Sequence, residues 1–233
     1  MSQVEIKPLG DDGILIRFKE EISIKINRLV QNLKEAILIR NIQGVKELVP
    51  SYRSLLIFYD QFIISFDELN EILINLLKEK KKIRKREKKV FKIPVYFGNE
   101  VSVDLNYIAK IHNLSEENVI KILLKRVYYV YMYGFLPGFI YLGGLPKILK
   151  TPRLESPRVL IPKGSIGIGG EQLGIYSISS PGGFRIFGIT YLDLFEVNEN
   201  LKVKISEGDF IKFRRVSKDE FIKKYKGEIK FYD

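Results

Sequence analysis

The sequence predicts an α+β N-terminal domain followed by a mainly-β barrel domain, and three observations carry that expectation. Up to residue 77, apolar residues switch between strand and helix spacing in the order β-β-α-β-β-α. Then "KEKKKIRKREKK", Lys78–Lys89, breaks both patterns with nine basic and two acidic residues. Beyond it, short strands separated by glycine and proline suggest a closed or nearly closed β-barrel rather than a parallel sheet. The expected organisation is a small α+β domain over 1–77, a basic linker over 78–89 and the barrel domain over 90–233.

The elements follow from local chemistry. "VEIKPLG" and "GILIRF" are short strands around a Gly10–Gly13 turn. "SIKINRLVQNLKEAIL" repeats Ile24, Ile26, Leu29, Val30, Leu33, Ala36 and Ile37 at near-helical spacing, and Ser23 is its N-cap. "VKELVP" and "RSLLIFYD" are strands on either side of Pro50–Ser51. "SFDELNEILINLLKEK" is a second amphipathic helix, opened by the capping box Ser65/Glu68. After the linker come a strand, "FKIPVYF", and two short helices in "VDLNYIAKIHNLSEENVIKILLKR", the second opened by Ser115. Strands are expected in "RVLIPKGSIGIGG", "LGIYSISSPGGFRIFGIT", "LFEV" and "GDFIKFRRVS", with a helical turn and a terminal strand in the tail "KDEFIKKYKGEIKFYD".

Composition narrows the function. The chain has 233 residues and no cysteine, so disulfides, thiol nucleophiles and thiolate metal sites are excluded. No apolar run approaches the ~20 residues of a membrane span, and "MSQVEIKPLGDDG" has no signal-peptide pattern, so the cytoplasm is the expected location. The net charge is +11, but the basic run supplies +7 of it. That concentration fits a solvated helix end or linker better than a nucleic-acid surface.

Two glycine-rich fingerprints fail on spacing. "GSIGIGGEQLG" has Gln172 where a dinucleotide loop needs its third glycine, and "PKGS" reverses the order of a P-loop. Such glycines more often serve turns, bulges and close backbone approach. The one histidine, His112, lies on a predicted helix among apolar neighbours, which favours a structural role over metal ligation or a catalytic triad.

What remains is the stretch "YMYGFLPGFIYLGGLPK", too aromatic for a solvated loop and too rich in glycine and proline for a helix. Polar groups follow it: Arg153, Glu155, Arg158, Lys163, Gln172, Tyr176, Ser179 and Ser180. Arg153 and Arg158 each follow a proline. Stiffened turns of this kind either aim guanidinium groups at a carboxylate or phosphate, or leave them as surface charges. "SSPGGF" is either a nest of backbone N–H groups or a plain barrel turn. The residues together describe an apolar-walled pocket for a small acid or amide.

Several long motifs resemble one family: Gly134-Phe135-x-Pro137-Gly138-Phe139, Pro162-x-Gly164-Ser165, Gln172-x-Gly174-x-Tyr176 and Ser180-Pro181-Gly182-Gly183. The family comprises the Kip-type histidine-kinase inhibitor, the B-type subunit of bacterial-type 5-oxoprolinase and the first carboxyltransferase half of urea amidolyase. The resemblance covers nearly the whole chain and implies that the barrel is cyclophilin-like. It also implies a related second barrel subunit and a lactam-hydrolase-like subunit as partners, with ATP and magnesium used by the complex. Three positions depart from the family pattern. Leu123 stands nearest a frequent histidine, Ile189 stands in a usual Gly-Arg-Thr, and Phe184 replaces a common tryptophan.

The function expected on this basis is a non-autonomous subunit of an ATP-dependent enzyme that opens 5-oxoproline to glutamate. Lys163 and Gln172 are the expected catalytic residues. Phe135, Pro137, Gly138, Tyr141, Arg153, Arg158, Tyr176, Ser180, Gly182 and Gly183 are the expected substrate-binding residues, and no metal ligand is expected. The alternatives are a regulator that blocks histidine-kinase autophosphorylation and a carboxyltransferase-type subunit. The latter would need a biotin-carrying partner, because this chain has no Met-Lys-Met-like segment.

Overall fold

The structure, a computed structural model, describes residues 4–79, 89–194 and 205–231. It divides into two compact units, Met1–Glu87 and Lys88–Asp233.

In the first unit, β1 (Glu5–Leu9), β2 (Gly13–Arg17), β3 (Val45–Pro50) and β4 (Ser54–Tyr59) form an antiparallel sheet of order β1-β2-β4-β3. Strand alternation sets Ile14 and Ile16 opposite Ile57 and Leu55. All four are fully buried, in one cluster with residues of α1 (Ile24–Arg40) and α2 (Phe66–Lys78). The helix starts are those the sequence predicts. Ser23 Oγ accepts from Ile26 N–H at 3.3 Å, and Ser65 and Glu68 exchange both bonds of the capping box. Asn41 ends α1 in the left-handed conformation, with φ of 46°.

The second unit contains β5 (Val90–Val95), α3 (Leu105–Ile111), α4 (Glu116–Lys125), β6 (Tyr128–Tyr133), β7 (Ile140–Gly143), β8 (Arg158–Ile161), β9 (Ser165–Gly169), β10 (Gln172–Ile175), β11 (Ser180–Gly182), β12 (Arg185–Ile189), β13 (Phe210–Arg215) and α5 (Lys218–Lys224). Seven strands form one sheet in the order β12-β9-β10-β7-β6-β13-β5. Every neighbour pair is antiparallel except β13 and β5. Past the end of β5, Tyr96 exchanges backbone hydrogen bonds with Ile189 of β12 at 2.8 and 3.0 Å, so the two edge strands meet and the sheet nearly closes. β8 and β11 pair separately as a two-stranded flap. Among the described residues no helix is long and apolar enough to cross a membrane.

The main core lies on the inner face, where Tyr128, Val130, Ile140, Leu142, Ile166, Ile168, Leu173, Ile175, Phe187 and Phe213 cluster with residues of α3 and α4. His112, at the end of α3, has its Nε2 3.1 Å from Thr151 Oγ1. Thr151 is fully buried and donates its own proton to Leu149 C=O at 2.9 Å, so the imidazole donates from Nε2. Burial holds the His112 pKa below its ordinary value.

Two expectations end differently. "LFEV" runs from Leu194 into residues outside the described ones. The tail forms α5, capped by Ser217, but residues 225–231 form no strand. Of the basic run, residues 80–88 lie outside the described residues.

Candidate functional site

The site is built on the outer face of the barrel sheet. Along β9 and β10, Ile166, Ile168, Leu173 and Ile175 point into the core, and Gly167, Gly169 and Gly174 occupy the opposite face. A Cβ at any of these three glycines would come closer than 3.0 Å to Phe139 or Phe184. The glycines are therefore a floor that seats aromatic rings, which explains the glycine-rich stretch without a phosphate. Phe139, Tyr176 and Phe184 are buried there with Ile161 and Ile186. The ring centroids of Phe139 lie 4.7 Å from Tyr141, 4.9 Å from Tyr176 and 6.1 Å from Phe184, the last two edge-to-face.

The loop between β6 and β7 supplies one rim. Leu136 N–H donates to Gly134 C=O at 2.8 Å, a γ-turn centred on Phe135, whose φ is 67°. A second turn follows at once: Phe139 N–H donates to Leu136 C=O at 3.0 Å, with Pro137 at the position that its fixed φ favours and Gly138 at φ of 74°. Ser177 Oγ donates to Pro137 C=O at 2.5 Å and pins this loop to the end of β10.

The opposite rim comes from residues 151–157 and the Ser180–Phe184 turn, joined where Leu154 N–H donates to Gly183 C=O at 2.8 Å. Between the rims lies a cleft of about 360 Å³, lined by Phe135, Phe139, Tyr141, Tyr176 and Phe184, with Gly182 and Gly183 in the turn. Arg153 is its one charged lining residue. The guanidinium carbon lies 5.0 Å over the Phe184 ring, and Arg153 makes no ion pair or hydrogen bond among the described residues. Burial pushes the Tyr176 hydroxyl up to about 12 and raises that of Tyr141, so both phenols stay protonated at neutral pH.

Behind the second rim sits a buried charge cluster. Arg158 donates from both Nη atoms to Asp104, at 2.7 and 3.0 Å, and Ile186 N–H donates to the same carboxylate at 2.7 Å. Arg185 Nη1 is 3.7 Å from Asp104, and its guanidinium lies 3.5 Å over the Tyr107 ring. Its Nε donates to Pro152 C=O at 3.2 Å, next to Arg153. The cluster thus fixes both ends of the 152–158 segment that carries Arg153.

The expected site residues therefore fall into separate places. Phe135, Tyr141, Arg153, Tyr176, Gly182 and Gly183 come together at the cleft, with Pro137 and Gly138 in its rim loop. Arg158 pairs with Asp104 and does not line the cleft. Ser180 is buried in β11, its Oγ donating to Pro181 C=O at 3.1 Å. Gln172 opens β10 opposite Gly169 and also lies off the cleft. Lys163 lines a second, more polar cleft of about 170 Å³ with Asp193, Tyr191, Lys224 and Tyr225, and its Nζ is 3.6 Å from Asp193. Leu123 and Ile189 are both fully buried in apolar clusters away from the aromatic cleft. Sequence reasoning places Asp104 in a segment, "VYFGNEVSVDL", that resembles the family's Tyr-Gly-Gly-Glu…Asp-Leu stretch, but gives no role to it or to Arg185. Asp104 stands at the start of a helix, a usual place for a cap, yet makes no cap bond, and its partners are distant in sequence. Among the described residues no cluster of three or more His, Asp or Glu suits a metal ion.

The profile of the carboxyltransferase domain, subdomain C and D, matches residues 4–203. The chain belongs to that family. Within this carboxyltransferase-domain family it is 38% identical to the B-type subunit of 5-oxoprolinase from Bacillus subtilis, over 93% of this chain and 95% of the relative. A conserved uncharacterized protein of Pyrococcus horikoshii has a crystal structure 42% identical in sequence, covering 93% of this chain and 100% of its own, with a TM-score of 0.53. TTHA0988 is 30% identical with a TM-score of 0.77, and the match takes in 88% of this chain but 40% of that longer one.

Proposed function

We propose that this carboxyltransferase-domain protein is a subunit of an ATP-dependent 5-oxoprolinase complex that opens 5-oxoproline to glutamate. The observation that carries this proposal is Arg153, a guanidinium over an aromatic floor with no ion pair among the described residues. A five-membered lactam acid offers a carboxylate for the cation and the plane of its amide for the Phe and Tyr faces. The similarity to a protein named as a 5-oxoprolinase subunit supports it along almost the full length. With it go the finer assignments: a small α+β domain over 1–77, a linker over 78–89, a cyclophilin-like barrel over 90–233, and a cytoplasmic location.

The chain does not act alone in this proposal. Its partners are a related second barrel subunit and a lactam-hydrolase-like subunit. That the matched part of TTHA0988 is less than half of a longer chain favours a fold that works joined to other polypeptide. A lactam carbon is a poor electrophile, and ATP, with magnesium, supplies its activation at the level of the complex. This chain binds the carboxylate through Arg153 and keeps water from the ring with the aromatic floor. Lys163 and Gln172 do not line the aromatic cleft, so in this proposal they act in the assembled complex and not by contact with the lactam held at Arg153.

The test is affinity purification from the native host, with identification of co-eluting chains, followed by an assay of the reassembled complex. A second barrel subunit and ATP-dependent glutamate formation support the proposal. A histidine kinase inhibited by this chain alone, or a biotin-carrying partner, replaces it. In the assembled enzyme, Lys163→Ala and Gln172→Ala each abolish activity while circular dichroism shows a folded subunit. Full activity in both variants removes them from the mechanism.

A further inference from the structure

The structure holds an aromatic residue where the backbone disfavours one. Among the described residues three non-glycine positions have positive φ, and two of them are asparagines, which tolerate the left-handed region. The third is Phe135, at 67°. Glycine flanks it at Gly134 and recurs at Gly138, so the chain places a ring, not a glycine, at the strained point. A bulky residue persists there only when its surroundings hold it in place.

Here the surroundings hold the backbone and leave the ring. Gly134 N–H donates to Phe139 C=O at 3.3 Å, the Pro137–Gly138 turn closes beside it, and Ser177 clamps Pro137. The Phe135 ring meets Phe139 and Tyr176 in T-shaped contacts, with centroids 5.4 Å and 6.4 Å away, and the residue is 59% exposed. It is a ring on a rigid mount at the mouth of a cleft whose other rings are buried, or half-buried in the case of Tyr141.

We propose that Phe135 is the specificity-determining lid of the cleft: its ring stacks on the flat body of a ligand whose carboxylate pairs with Arg153. This rests on the assignment of the cleft to small ring acids and adds what selects among them, planarity. A chair-shaped ring of equal charge would meet Arg153 but offer no planar unit to the face of Phe135.

The experiment titrates the full chain with 2-naphthoate and with cyclohexanecarboxylate, read by NMR chemical shifts, alongside thermal melting. The wild type is expected to prefer naphthoate. Phe135→Leu, which retains the bulk and the strain but not the flat face, brings the two affinities together. Phe135→Gly weakens naphthoate by up to about tenfold while melting at or above the wild-type temperature. An affinity loss in Phe135→Gly accompanied by a fall in melting temperature overturns the lid in favour of a structural role. If Arg153→Gln abolishes binding but both Phe135 variants bind and discriminate like wild type, the lid fails and the cleft stands. If naphthoate does not bind the wild type, or binds independently of Arg153, the cleft assignment fails and takes the lid with it.

Discussion

The two faces of the β9–β10 hairpin share a backbone and differ in almost everything else. Inward, Ile166, Ile168, Leu173 and Ile175 fill the barrel with their own side chains. Outward, Gly167, Gly169 and Gly174 supply nothing, and rings from Phe139 and Phe184 lie in the space they leave. One face is shaped by what its residues add, the other by what they omit. A packed interior tolerates loss and gain of volume poorly. The two faces should therefore fail in opposite directions, one when atoms are removed and the other when they are added.

The largest effect is expected at the charge cluster that braces the cleft's outer wall. Asp104→Asn leaves two nearly buried guanidinium groups without their carboxylate. Denaturant unfolding should show a loss of about 3–5 kcal/mol. Replacing Asp104 and Arg158 together by apolar residues should cost less than the two single changes summed. A smaller loss, about 2–5 kcal/mol, is expected when Leu173→Ala empties the inner face. On the outer face, Gly174→Ala should cost about 1–3 kcal/mol by pushing Phe139 from its seat. If Gly174→Ala proves neutral, the rings are not seated on the glycines and the contrast between the faces collapses.

The smallest effect concerns pH. Burial lowers the His112 pKa, so the unfolded chain takes up a proton below about pH 6.5 before the native state does. Its neutral form contributes fully above about pH 6.5, and that contribution is lost as pH falls from there toward the lowered native value. His112 is the one histidine of the sequence, so the comparison is clean. Urea midpoints measured at about pH 7.5 and about pH 5.5 should separate more for wild type than for His112→Gln. Equal separation would show that burial does not perturb the imidazole.

Much of the fold was legible because its signals are local. Ser23, Ser65 and Ser115 each cap a helix through a backbone N–H three residues ahead, a distance any reading frame spans. The aromatic and glycine-rich stretches pointed to a covered surface, but not to which ring meets which glycine, since Phe139 and Gly174 approach only through the pairing of β7 with β10. Asp104 and Arg158 are 54 residues apart and reveal nothing to periodicity. Arg153 and Lys163 looked like one polar cluster because they are ten residues apart in sequence. Strand β8 runs between them and leaves them in different clefts.

The parallel pairing of β5 with β13 sets a timetable for the chain. Lys89 and Asp209, hydrogen-bonded beside that pairing, are 120 residues apart, whereas every strand of the first sheet pairs within residues 5–59. Closing so long a loop carries an entropic cost before any contact offsets it, and folding slows as partners lie farther apart in sequence. During synthesis β5 emerges early and waits, its edge unpaired, until the far end of the polypeptide arrives. The second unit is thus the slow and aggregation-exposed half of the molecule, and a chain stopped short of residue 210 cannot complete it.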